Sequence, residues 1–599
     1  MATAGAWADQ AYAPTVGDAF PDTVYWGDTH VHTYLSADAF GMGNRTTPDQ
    51  AYRFAKGEEV TSTGGERVRL RRPLDFIMVS DHAENIGVLP RLIAGDEYLQ
   101  ASPDGPAIIA LFAEAPPLDR VLNARDLEAF KTLSATLMEG KSAWSGDYDL
   151  DETFRRQVWH AVIDVAELHN DPGTFTTFAG YEYSSNPPML HRNVLFAGDP
   201  ESTRQTMPFS KYDSANPEDL WAFLAEYEAR TGSGVIAIPH NSNLSRGEMF
   251  RSRTHAGDPM TADYAALRVE REPVIEVTQI KGDSETHPLA SPDDPYAGFE
   301  SWGGANFDKS DKSDAWVSGS YARPALKSGL GLAAELGANP FKFGMIGSTD
   351  SHNGLATADS VNFWGKMAGN EPSPFRALTN TIYVASGYAA VWAEANTREA
   401  LFDAFKRREV YATTGPRIVL RFFGGWDYTA SDAARPDFAA LGYSLGVPMG
   451  GDLAQTESGE SPRFLIRAVK DPDGANLDRV QVVKGWRTSD GELFERVYDV
   501  AWAGDRVIED GRLEDIGSTV DVEAATYLNT IGAPELAVTW SDPDFDGRHA
   551  AFYYVRVLEI PTPRWTTYDV VRFGAASPQD GTPLVIQERA YSSPIWYSP

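Results

Sequence analysis

The chain of 599 residues carries 52 Lys and Arg against 85 Asp and Glu, a formal charge of -33. A surface that acidic repels phosphate backbones and anionic lipid, which sets nucleic-acid and membrane-surface roles aside. With 42% hydrophobic and 23% charged residues it reads as globular rather than disordered, and its length argues for two domains, while the absence of cysteine excludes disulfides, thiolate metal ligands and a cysteine nucleophile.

In chain order, the opening MATAGAWADQAYAPTVGDAF has no basic start and no apolar stretch, so it does not read as a signal peptide, and no run is long enough to span a bilayer. A soluble chain is expected, with a periplasmic or secreted location slightly favoured over a cytoplasmic one by the lack of cysteine. From about residue 20 to about 415, short apolar runs recur: TVYW, LDFIMVS, TFTTFAGY, NVLFAG, GVIAIP, PVIEVTQI and KFGMIG. Each is bounded by Gly, Pro, Asp or Asn, as buried strands are. Helical patterns such as DETFRRQVWHAVIDVAELHN and PEDLWAFLAEYEARTG lie between several of them. Strand, helix and strand in alternation predict a parallel sheet, most simply a closed β/α barrel of the TIM type. Two insertions interrupt the rhythm, a helix-prone one at 90–150 and one rich in Gly, Ser, Asp and aromatics at 283–325; each reads as a lid or substrate wall.

ANTREALFDAFKRREVYATTGPR reads as a helix capped by Asn396 and closes the first domain. RIVLRFF, RFLIRAVK, RVQVVKGW, RVYDVAW, LAVTW and AFYYVRVLEI follow, alternating between turns, and predict a smaller all-β sandwich over 416–599. SDPDFDG starts like a calcium loop, but Tyr553 stands where that loop needs Glu, so it reads as a hairpin turn. YYVRVLE and the closing SSPIW suggest apolar surface to bury against the helix at 397–411.

Nine residues distributed along the first domain are of metal-ligating type: His30 and His32 in GDTHVHT, Asp38 in SADAF, His82 in VSDHAE, Glu182 in AGYEYSS, His191 in LHRNVLF, His240 in IPHNSN, and Asp350 with His352 in GSTDSHNG. Six of the eleven histidines belong to this set, too many for unrelated core histidines, each of which needs its own hydrogen-bond partner. In an extended strand His30 and His32 share a face about 6.6 Å apart, within reach of one cation. Asp350 and His352 repeat that spacing. Imidazoles and carboxylates suit borderline and hard divalent ions, and most of the set follows apolar runs, where strand ends carry sites.

The order H-x-H, Asp, D-H, a strand Glu, two separate His and D-x-H is similar to the PHP superfamily, named for polymerase and histidinol phosphatase. YWGDTHVHTYLSADA, REALFDAFKRREVYATTG, YYVRVLE and SSPIW look like a large PHP-like branch catalogued as a domain of unknown function. The resemblance implies a distorted seven-stranded β/α barrel holding two to three divalent ions (zinc, manganese or iron) and a phosphoester-hydrolysing activity. It implies a first metal on His30, His32, Glu182 and Asp350, a second on Glu182, His191 and His240, and a third on Asp38, His82 and His352. Glu182 would bridge the first two. His191 departs from the pattern, since it follows Glu182 closely on what looks like the next strand of a hairpin.

Such a centre is locally positive in an acidic protein, so it draws a small anionic ester, and a metal-bridging hydroxide serves as nucleophile without any side-chain nucleophile. Arg192, Lys281 and Asn243 stand near ligands in sequence and are candidates to clamp substrate or protonate the leaving group; each also reads as an ordinary surface residue. Three functions stay open: a phosphoesterase, a metal-dependent hydrolase of another ester, sulfate ester or amide, and a non-catalytic binding protein with a metal cluster. Substrate, metal identity and oligomeric state are not legible.

Overall fold

The computed structural model describes residues 20–102, 105–113, 152–185, 189–302, 313–379, 381–455, 460–575, 578 and 581–599. The insertion expected at 90–150 lies outside the described residues from 114 onward, and the one at 283–325 does so over 303–312.

The strands that place the site are β1 (Thr23–Val31), β2 (Phe76–Val79), β3 (Thr176–Tyr183), β4 (Arg192–Phe196), β5 (Val235–Pro239), β6 (Val274–Gln279), β7 (Gly344–Gly347), β8 (Tyr388–Ala393) and β9 (Val410–Thr413). The later strands are β10 (Val419–Gly425), β11 (Arg463–Val469), β12 (Leu477–Arg487), β13 (Leu493–Trp502), β14 (Glu535–Ser541), β15 (Ala550–Glu559), β16 (Arg589–Ser592) and β17 (Ile595–Tyr597). Helices α1 (Glu152–His169), α2 (Pro217–Thr231), α3 (Ala262–Arg271), α4 (Ala322–Leu336) and α5 (Arg398–Arg407) are interleaved with the first group, and α6 (Trp565–Phe573) precedes β16.

The expected barrel is not what forms. A 13-stranded sheet dominates, in the order Asp452–Leu453, β17, β15, β16, β9, β8, β1, β2, β3, β4, β5, with β12 joined to β15 and β13 to β12. β6 and β7 pair in a separate three-stranded sheet, β10, β11 and β14 lie in a four-stranded one, and no closed barrel occurs among the described residues. Within the large sheet β1, β2 and β3 run parallel to one another, as do Asp452–Leu453 and β17 at its far edge, whereas β3–β4, β4–β5, β1–β8 and β8–β9 are antiparallel. The reason is connection length. Residues 184–191 are too few for the crossover that a parallel neighbour needs, so β4 must turn straight back. Close approach is built in at Gly180, where a Cβ would stand 2.5 Å from the Val194 carbonyl oxygen.

Nor do the C-terminal strands make a sandwich of their own. β16 pairs with β9, and β15 with β16, so the sheet begun by the first half continues into the second. β15 is buried almost throughout because both of its faces are covered. Tyr553 and Val555 pack with Phe422, Phe464, Trp26 and Trp392, while Phe552 and Tyr554 pack with Ala322 and Leu326 of α4. The segment Asp542–His549 links β14 in one sheet to β15 in another and is not a hairpin turn; the Tyr553 hydroxyl donates to Asp542 at 2.7 Å.

The helices follow their sequence signals closely. α2 starts at Pro217 with the Asn216 side chain accepting from the Glu218 N–H, and ends at Gly232 in the left-handed region; Leu220, Leu224 and Tyr227 form its buried stripe. In α5 the cap is Thr397, not Asn396. The Asn396 amide is instead engaged by the Asp75 and Thr174 carbonyls at 2.9 and 3.1 Å. α5 buries Leu401 and Phe405 against Phe76, Phe178, Ile236 and Val391 of the first half, so the C-terminal segments do not cover it as expected. Among the described residues no helix is long and apolar enough to cross a membrane.

Candidate metal centre

Backbone pairing brings the distant motifs together. His30 ends β1, and Val31 bridges Ser351 in parallel, with the Asp350 N–H donating to the His30 carbonyl and the His32 N–H to the Ser351 carbonyl, both at 2.8 Å. His82 and Glu182 face each other as β2 and β3 run out, and the His240 N–H reaches the His191 carbonyl as β4 and β5 do. These pairings gather six imidazoles into one cluster with Glu182, Asp38 and Asp350. Asp350 holds a left-handed φ of 56°, unusual for a residue with a side chain, and its place is fixed by partners on both carboxylate oxygens.

All nine expected ligands meet in one cluster. Glu182 is its hub: Oε1 lies 2.5 Å from His191 Nδ1 and 3.0 Å from His240 Nε2, while Oε2 lies 3.2 and 3.0 Å from His30 and His32 Nε2. Asp38 forms a second focus, with Oδ2 3.1 Å from His82 Nε2 and 2.7 Å from His352 Nε2; those two rings are centred 6.1 Å apart. Four sets of ligand atoms lie close enough to hold a metal ion: His32, Asp38, His82 and His352; His30, His32 and Glu182; His30, His240 and Glu276; and His82, Glu182 and His191. Asp350 belongs to none of them. Its carboxylate is flanked by two amines, Lys281 Nζ at 2.6 Å on Oδ2 and Lys366 Nζ at 2.9 Å on Oδ1.

The donor set fits divalent cations. His30 and His32 turn Nε2 toward Nε2 at 3.1 Å, and both nitrogens also face Glu182 Oε2. Among the described residues His240 Nδ1 is buried without a hydrogen-bond partner, and so are the side-chain amide atoms of Asn193 and Asn241, the Asn243 Oδ1 and the Ser242 hydroxyl. Buried polar atoms of that kind mark places where water or an ion belongs. Burial and the neighbouring carboxylates pull the imidazoles in opposite directions. Burial alone would depress His30, yet Asp350 and Glu276 raise it to about 10; burial likewise opposes His82, which Asp38 and Glu182 raise to about 9. Burial holds His32 down to about 3, helped by His352, and His191 down to about 4. Glu182, despite burial, is kept well below the usual carboxylate range by His82, His240 and His191.

Several orienting groups were not visible in the sequence. Glu276 accepts from His30 Nδ1 at 3.0 Å and so turns Nε2 inward, the arrangement of a carboxylate behind a metal-ligating histidine. Ser36 and Ser184 contact His32 Nδ1 and His82 Nδ1 at 3.1 and 2.5 Å. Lys366 also contacts His352 Nδ1 at 2.8 Å. A charged residue inside the apolar run PVIEVTQI was a usable signal for Glu276; Lys366, in an irregular segment, had none. Of the candidates near ligands, Lys281 lies at the centre. Asn243 donates to the Lys281 carbonyl at 3.0 Å, and Arg192 is engaged by Glu272 at 2.8 Å and by the Leu190 carbonyl at 2.7 Å. Exposure is graded: the side chains of His30, His32 and His240 are 0% exposed, those of His82 and Asp38 14% and 19%, so solvent reaches the cluster from the Asp38 side.

No solved structure matches the chain. An uncharacterized protein of Chlamydia pneumoniae is 23% identical over 279 residues, which cover 46% of this chain; the match spans 35%, about a third, of that protein's length. Residues 19–599 match the family model described as a protein of unknown function, DUF3604, and the chain belongs to that family.

Proposed function

We propose that this protein is a metal-dependent hydrolase, and specifically a phosphoesterase acting on a small anionic ester. Glu182 carries the reading: its two oxygens face different imidazole pairs, as a carboxylate shared between two cations must. The order of the ligands along the chain, similar to that of the PHP superfamily, supports it. Bound divalent ions would supply Lewis acidity and an activated water for attack at phosphorus. Glu276, Ser36 and Ser184 hold the imidazoles in the tautomers that present lone pairs inward. Lys281, next to Asp350 and 10% exposed, is the group placed to meet an anionic substrate and to give a proton to its leaving oxygen. Arg192, engaged by Glu272, holds the β4 end of the cluster in position.

The test combines elemental analysis with a panel of p-nitrophenyl phosphate, bis-p-nitrophenyl phosphate, p-nitrophenyl sulfate and p-nitrophenyl acetate, on protein stripped and reloaded with manganese, zinc or iron. The expected result is two to three ions per chain and metal-dependent turnover of a phosphate ester. Faster turnover of sulfate or acetate would move the chain to another hydrolase class. Full metal content with no turnover of any ester would leave only a binding role.

A further inference from the structure

A second concave site lies outside the histidine cluster, at the seam where the two halves of the chain meet. It has a volume of about 100 Å³ and is walled by the segment before β2, residues 357–362, the turn after β9, the 471–475 turn, the end of β15 and α6. Its charged residues divide into two groups. Arg71 pairs with Asp359 at 2.9 Å, and Arg72 with Asp471 and, at 3.5 Å, with Asp473. Arg417 donates to the Arg72 and Pro73 carbonyls at 3.0 and 2.7 Å. Glu559 and Glu588 are different: both are buried, and among the described residues neither has an ion-pair partner. Glu588 accepts from the Thr414 and Ser360 hydroxyls at 2.5 and 3.3 Å, and among the described residues the Oε1 of Glu559 has no hydrogen-bond partner. The amine nearest in sequence, Lys470, donates to the carbonyls of Asp471 and Gly474 at 3.0 and 2.9 Å.

Two buried carboxyls with no ion-pair partner, lining one cavity, are costly. Burial raises both: Glu588 to about 8, and Glu559 well above its ordinary range, with Glu588 and Asp471 adding to the effect. Three arginines of the lining, Arg71, Arg72 and Arg417, stand against five carboxyls, Asp359, Asp471, Asp473, Glu559 and Glu588, so the cavity is short of positive charge. Tyr388, Tyr527 and Tyr568 line it as well, and aromatic faces attract cations. A bare metal ion suits it poorly, because no set of three ligand groups converges there among the described residues. On the measure by which one water takes about 10–15 Å³, the space admits a ligand of roughly seven to ten non-hydrogen atoms.

We propose that this cavity binds a small organic cation of the ammonium or guanidinium type, held by Glu559 and Glu588 between tyrosine faces. The site is separate from the histidine cluster and does not depend on the hydrolase reading. Isothermal titration of the full-length protein with agmatine and with putrescine, using 1,4-butanediol as the neutral comparison of putrescine's size, tests it. Saturable binding of at least one amine is expected, weakened at least about tenfold by Glu559→Gln and by Glu588→Gln and unchanged by Glu182→Gln. Should Glu559→Gln fail to fold by circular dichroism, Tyr527→Ala in the loop wall is expected to weaken binding severalfold. The proposal is overturned if neither amine binds by about 10 mM, if 1,4-butanediol binds as tightly, if both Gln variants bind normally, or if Glu182→Gln removes the binding.

Discussion

Two buried clusters of ionisable groups sit in this molecule, and they are built on opposite principles. Around α4, Arg323 meets Glu285 at 2.5 Å, Asp294 at 2.9 Å and Glu495 at 3.2 Å; Arg556 meets Asp294 at 2.8 Å, and Lys327 meets Glu495 at 2.5 Å. Three cations answer three carboxylates, so that cluster is closed. Among the described residues, Asp38, Glu182, Glu276 and Asp350 around β1 face two amines, Lys281 and Lys366, and otherwise imidazoles, of which His30 and His32 bring Nε2 within 3.1 Å of each other. That cluster is short of positive charge. A closed network fastens parts of the fold together, whereas an open one is a place for something that the chain does not encode.

The contrast can be broken experimentally. The largest effect is expected from ending the chain after Arg417, which removes Arg556 and Glu495 from the closed cluster and strips β16 from β9. Buried charges left unpaired and a bare sheet edge both drive aggregation, so size-exclusion chromatography should find no monomeric species. A monomeric, stable truncated chain would show that the closed cluster is dispensable. Next comes Glu182→Gln, expected to cut metal-dependent turnover at least about a hundredfold and to lower the ion count in elemental analysis, with the melting temperature of the metal-free form little changed. Asp38→Asn should cost less, since its carboxylate touches two imidazoles and not four. Arg556→Met is the mirror image: about 3–5 kcal/mol of stability lost in urea unfolding, with ion count and turnover of the folded fraction unchanged.

The smallest effect is a pH dependence. Burial works against ionising Asp294, but Arg556 and Arg323 outweigh it and hold the carboxyl below its ordinary range. A group depressed on folding contributes stability that is fully present above its unfolded pKa of about 3.9 and is lost as pH falls toward the folded value. Urea midpoints should therefore decline below about pH 5, and Asp294→Asn should flatten that acid limb while lowering the plateau. An unchanged slope would mean that the pairing adds nothing.

Legibility in the sequence followed the range of the interactions. The same-face spacing of His30 with His32, and of Asp350 with His352, is local geometry and could be read directly. That all nine residues meet was legible from donor chemistry and scarcity. Glu276 and Lys366 were hidden because their roles exist only across β1 and the 350–352 segment. The barrel expectation failed for a nearby reason. α1 and α2 supply a strand-helix-strand rhythm, but the short 184–191 connection dictates an antiparallel return, and rhythm was weighed above loop length. The sandwich expectation failed because alternation along β15 shows two faces without showing that each meets a different neighbour.

The bridge between Val31 and Ser351 has a consequence for biosynthesis. His30 and His32 leave the ribosome hundreds of residues before Asp350 and His352, and β9 waits longer still for β16. A nascent chain can thus offer its early histidines only as loose, weakly chelating groups. On the metal-dependent reading proposed above, ion loading would have to wait at least until residues 350–352 have left the ribosome and met β1.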